Sequence, residues 1–186
     1  MSLLNHAEYV SKFDLFHGLP ADDVKELLAE CVEVVLQPGD PVLMIDGEAR
    51  ELWLLLHGWV DVEFTLADQT KRPVVSLGPG SLLGEVSFLH PAKHTANLKC
   101  VSACVFARLD RARFDLLIER KSTAALRLLM KIAETMSARL QATDELLKTA
   151  LGAVADGEFH KRTDELRHAF LHRSEASLVF LGLNPM

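Results

Sequence analysis

Between residues 80 and 96 the chain reads Gly80-Ser81-Leu82-Leu83-Gly84-Glu85-Val86-Ser87-Phe88-Leu89, then His90-Pro91-Ala92-Lys93-His94-Thr95-Ala96. A glycine and a glutamate open a single helical turn here, and a strand resumes six residues after it. Gly84 has no side chain, so backbone can approach a ligand closely at that point. The free N–H groups that begin the Val86–Leu89 turn form a ready anion site. Glu85, at the same turn, can accept hydrogen bonds from vicinal hydroxyls, as an acidic residue does for ribose. Its plainer role is to cap the short helix, because carboxylates favour helix N-termini. An anion site beside a hydroxyl acceptor points to a sugar phosphate.

Other chemistries find no support in the residues. His90 and His94 have an H-x3-H spacing, but a proline-broken loop does not hold two imidazoles on one helical face, so no metal site is expected. No H-x-H occurs, which excludes a cupin-type metal barrel, and no nucleophile lies in an elbow or triad context. Cys31, Cys100 and Cys104 are three in number with no paired C-x-x-C, so neither a disulfide framework nor structural zinc is indicated. Cys100 and Cys104 read as small core residues.

The elements that must position the 80–96 stretch are short strands. Residues 3–30 read as helical, broken near Phe16-His17-Gly18-Leu19-Pro20, and Val24, Leu27 and Leu28 then share a face. From 31 to 109 the texture changes. Trp59–Leu66 is the clearest strand, with Val60, Val62, Phe64 and Leu66 opposite Asp61, Glu63 and Thr65. Val32–Leu36, Val42–Ile45, Glu51–Leu56, Val74–Leu77, Leu82–Leu83, Thr95–Val101 and Ala103–Leu109 complete the set. Turn signals separate them at Pro38-Gly39-Asp40, Asp46-Gly47, His57-Gly58 and Gly78-Pro79-Gly80. About eight strands at this spacing indicate an antiparallel barrel or jelly roll.

Past Asp110 the period is helical again. Arg113–Arg120 forms a short helix, and Ser122 to about Ala155 has no proline. Leu126, Leu129, Ala133, Met136, Leu140, Thr143, Leu147, Ala150 and Val154 form an a/d heptad seam along it. A second copy of the chain is the simplest cover for such a seam. The plainer reading packs the stripe on its own barrel. Thr143 is a polar break in the seam.

The barrel with Pro38-Gly39-Asp40, Gly58 after the third apolar strand, Pro79–Leu89 and the helix Phe114-Asp115-Leu116-Leu117 resembles the cyclic-nucleotide-binding domain. That is the family of the catabolite activators and of the regulatory subunits of cyclic-AMP-dependent protein kinase. The resemblance spans roughly residues 13–150. It implies that Gly84 and the backbone of Val86 face a phosphate, that Glu85 takes the ribose 2′-hydroxyl, and that Thr95 and Ala96 line the phosphate. It also implies that Thr143, in Arg139-Leu140-Gln141-Ala142-Thr143, meets the base across a dimer. One position departs. Where the family carries an arginine, this chain has His94. Arginine donates two parallel hydrogen bonds and is always charged, whereas histidine offers one donor towards a ligand. Such a loss amounts to about 1.5–3 kcal/mol of binding.

The resulting expectation is a mainly β protein with flanking helices: an antiparallel jelly-roll barrel with its N-terminal helices over 1–120, a dimerisation helix over 121–155 and a short helical, apolar tail over 156–186. It is expected to be a non-enzymatic, homodimeric sensor that pairs through 122–155 and binds cyclic AMP, cyclic GMP or a related phosphate-bearing effector. It would carry no resident cofactor and would act on a protein partner that the sequence does not identify. The alternative is a degenerate barrel that binds no nucleotide and serves as a dimeric interaction module. A net charge of −6 argues against DNA, and the segment after the long helix has no room for a helix-turn-helix. No signal peptide and no apolar run of roughly 18–20 residues appears, so a cytoplasmic, membrane-free location is expected.

Overall fold

Alternating side chains between turn residues build two four-stranded antiparallel sheets, ordered β1-β8-β3-β6 and β2-β7-β4-β5. The strands are β1 (Val32–Leu36), β2 (Pro41–Leu43), β3 (Glu51–His57), β4 (Val60–Thr65), β5 (Lys71–Leu77), β6 (Leu82–Leu83), β7 (Asn97–Cys100) and β8 (Cys104–Asp110). This computed structural model describes residues 3–44, 47–65, 70–94 and 96–153. Leu66, Thr95, Val154 and the 156–186 tail lie outside the described residues. The chain divides into two compact units, 1–132 and 133–186.

Trp53, Leu55, Val60, Leu83, Leu98 and Phe106 fill the barrel core, joined by Cys100 and Cys104, both free thiols. The other face of β3 carries Leu52, Leu54 and Leu56, all buried. A small apolar cavity of about 30 Å³ lies on that side, lined by Leu15, Phe16, Leu28, Leu52, Leu109 and Leu128 among others. Both faces of β3 are therefore covered, which is why Leu52–Leu56 is one unbroken apolar run. β5 begins at Lys71, ahead of the predicted Val74. Pro73 removes a ladder donor, but β5 is an edge strand and tolerates it.

The helices are α1 (Ala7–Val10), α2 (Ala21–Ala29), α3 (Glu85–Leu89), α4 (Arg111–Glu119) and α5 (Thr123–Ala153). α4 starts two residues before the predicted Arg113, because the Asp110 side chain accepts the Arg113 N–H at 2.9 Å and caps the helix. Arg113 in turn donates to the Glu30 carbonyl at the end of α2. α5 buries Ala124, Ala125, Leu128 and Ile132, and its Arg127 pairs with Asp23 of α2. Leu126, Leu140 and Leu147, seven or fourteen residues apart, are exposed at 60%, 47% and 43%.

Candidate functional site

The short strand β6 leads the chain into the candidate site. Leu83 pairs with Trp53 on β3, and Gly84 follows at φ +79. A Cβ at Gly84 would sit 2.4 Å from the Glu51 carbonyl oxygen, so both the backbone conformation and the space demand glycine. The first bond of α3 is Phe88 N–H to Gly84 O at 3.0 Å, and the Ser87 hydroxyl donates to the same carbonyl at 3.2 Å. The amides of Glu85, Val86 and Ser87 thus open the helix without a partner inside it. Glu85 is 7% exposed and Val86 half-buried.

Five residues do not make a stable helix by themselves. The other end of α3 is held by two arginines. Arg50 Nε donates to Ser87 O at 3.3 Å and its Nη2 to Phe88 O at 3.1 Å. Arg111, the first residue of α4, donates Nη1 to Phe88 O at 2.9 Å and Nε to Asp115 at 2.7 Å. The Phe88 and Phe114 rings meet edge-on at 5.2 Å, and the Arg111 guanidinium lies over both, 5.6 and 5.8 Å from the centroids. Cations here oppose the negative end of the helix dipole.

His94 is turned towards the β2–β3 connection. Its backbone N–H donates to Gly47 O at 2.9 Å. Nδ1 lies 3.2 Å from Met44 O and Nε2 3.1 Å from Ala49 O. Carbonyl oxygens only accept, so both contacts are hydrogen bonds when the imidazole is doubly protonated, and one of them is when it is neutral. The connection that receives His94 continues into Glu51, whose carbonyl bounds Gly84.

Gly84, Glu85 and Val86 are therefore contiguous at the start of α3, and Ala96 is half-buried just before β7. Thr95 lies outside the described residues. Thr143 is exposed on α5 and donates its hydroxyl to Arg139 O at 2.9 Å. Sequence reasoning missed Arg50, Glu51 and Arg111. Each is a charged residue at the edge of an apolar element, and that position was the signal available.

The barrel offers two further features. Val62 pairs with Val75 on the face that Val60 and Leu77 share, and Val75 is 48% exposed, which leaves an apolar ledge. Trp53 is 6% exposed, and its indole N–H has no hydrogen-bond partner. Arg108 lies over the Trp53 ring at 5.5 Å and pairs with Glu51 at 3.4 Å. No group of three or more metal-ligating side chains occurs among the described residues.

Residues 33–121 match the family model of the cyclic nucleotide-binding domain. The cyclic AMP receptor protein of Thermus thermophilus is 28% identical over 130 residues, covering 70% of this chain and 58% of that protein. The potassium channel GORK of Arabidopsis thaliana is 22% identical over 116 residues, 62% of this chain and 14% of the channel. The crystal structure of the Thermus thermophilus catabolite activator protein matches with a TM-score of 0.66 at 26% identity, covering 73% of this chain and 62% of that one. The chain thus spans less than two thirds of each of these relatives. Among the described residues, no helix is long and apolar enough to cross a membrane.

Proposed function

We propose that this chain, whose residues 33–121 match the family model of the cyclic nucleotide-binding domain, belongs to that family and is a non-enzymatic regulatory sensor whose barrel receives a nucleotide-class effector at Gly84–Val86. The observation that carries this reading is the double hold on α3. An effector that settles against Gly84 and Glu85 moves a five-residue helix whose far end is bonded to Arg50 and Arg111. Arg111 begins α4, and α4 leads through Lys121 and Ser122 into α5. Displacement of α3 therefore pulls on the start of α5. The exposed Leu126, Leu140 and Leu147 support pairing of α5 with a second copy. A cytoplasmic site of action belongs to the same proposal.

Hydrogen exchange on the full-length protein tests it, with and without a panel of cyclic nucleotides and nucleosides. Saturable protection of α3 and α4 by one of them is expected. Loss of the whole panel's effect would leave the second reading, a barrel that binds no nucleotide and serves as a dimeric interaction module. One observation favours that second reading: His94 already has both ring nitrogens on backbone carbonyls.

A further inference from the structure

We propose that His94 is a proton-operated clip, which fastens the β2–β3 connection to the segment before β7 when its imidazole is doubly protonated and loosens that hold when the ring is neutral; the clip works with or without an effector in the barrel. Each ring nitrogen faces an oxygen that can only accept. Nδ1 lies 3.2 Å from Met44 O and Nε2 3.1 Å from Ala49 O. A neutral imidazole carries one N–H, so it bonds one of these carbonyls and turns a lone pair towards the other. Only the imidazolium bonds both. Histidine is also the side chain that ordinarily changes charge between about pH 5 and 8.

The backbone around the ring is arranged to receive it. Met44 O also accepts the Gly47 N–H at 3.0 Å, and Gly47 O accepts the His94 N–H at 2.9 Å. A Cβ at Gly47 would sit 2.9 Å from Met44 O and 3.0 Å from His94 Nδ1, so glycine leaves the room that the imidazole takes. Among the ionisable groups on the segments around His94, Glu48, His90, Lys93 and Lys99 are exposed, and Glu85 is buried at the start of α3. Arg50 is bonded to the Ser87 and Phe88 carbonyls, and Glu51 pairs with Arg108. The bonds of His94 lie at the surface, so water takes over the carbonyl that a neutral ring releases, and both states are accessible. The connection runs on into Arg50, which holds the end of α3, and Glu51, whose carbonyl bounds Gly84. A proton on His94 therefore steadies the backbone that frames the candidate site.

Hydrogen exchange of the Gly47 and His94 amides in the full-length protein, read as protection relative to the unstructured rate at each pH, tests the clip. Protection of both is expected to rise about threefold or more from about pH 8 to about pH 5.5, in the range of one net hydrogen bond. His94→Phe keeps a ring but has no donor, and the rise should vanish in it. His94→Arg donates at every pH, so its protection should be high at both ends. His90→Gln removes the other histidine of the segment and should keep the wild-type rise. A wild-type protein without the rise, a rise that survives in His94→Phe, or one that is lost in His90→Gln overturns the proposal. If His94→Phe does not fold, His94→Arg decides instead, and a rise there equal to that of the wild type overturns it.

Discussion

The guanidinium of Arg111 bonds the Phe88 main-chain oxygen at 2.9 Å while lying 5.6 Å over the ring of the same residue. One side chain thus grips both the backbone and the buried ring at the end of α3. Arg50 reaches the same oxygen from the β2–β3 connection. Arg111→Ala and Arg50→Ala should each lower stability by about 1.5–3 kcal/mol, the range for hydrogen bonds to charged groups. Because they share an acceptor, the double variant should depart from additivity by about 0.5 kcal/mol or more. Urea unfolding of the four proteins measures this, and strict additivity would show that the two arginines act separately.

Gly84 and Gly18 form a controlled pair. Both have positive φ, +79 and +83, but a Cβ at Gly18 meets nothing within 4 Å. Gly18→Ala should therefore lose only the left-handed backbone cost, about 1–2 kcal/mol. Gly84→Ala also drives a methyl against Glu51 O and should lose more by at least about 1 kcal/mol. Equal losses in thermal or chemical denaturation would contradict the close approach at Gly84.

The exposed leucines of α5 give the dimer its test. Replacing Leu140 and Leu147 together with lysine should convert dimers to monomers, because like charges would face each other across the seam. Far-UV dichroism should show the barrel intact, since neither residue belongs to the 1–132 unit. Light scattering that finds the same mass for the variant and the wild type would sink the proposal.

Burial, with the neighbouring Glu30 carboxylate, pushes the Cys31 thiol up from 9.0 to about 12. Its Sγ lies 3.2 Å from Leu27 O, to which the protonated thiol donates. The folded state thus keeps a proton that the unfolded state releases. The associated stability is fully present below about pH 9 and is lost as pH rises towards 12. Denaturation midpoints of the wild type should fall more steeply over that window than those of Cys31→Ala. A thiol reagent should also label native Cys31 slowly near neutral pH, where it is protonated. Rapid labelling of the folded protein would contradict this.

The barrel was legible because its causes are local. Alternation in Val60-Asp61-Val62, turn glycines at 39, 58 and 80, and the unbroken Leu52–Leu56 run each act through neighbours in sequence, and each appears where it was expected. Gly84 was legible for a related reason, since a glycine between a strand and a helical turn advertises a tight backbone. The extent of β5 was not, because Pro73 argues against a strand unless the strand lies at an edge, and edges are set by the whole sheet.

What His94 touches could not be read from its neighbours at all. Its partners at Met44, Gly47 and Ala49 lie 45–50 residues away, and only the pairing of β2 with β7 brings the β2–β3 connection beside it. Arg50 and Phe88, 38 residues apart, meet for the same kind of reason. Sequence by itself determined which side chains and which backbone freedoms the site would have. Tertiary structure decided which of their donors are already used, because hydrogen-bond partners are allotted by distance in space, and a donor spent on a carbonyl is no longer there for a ligand.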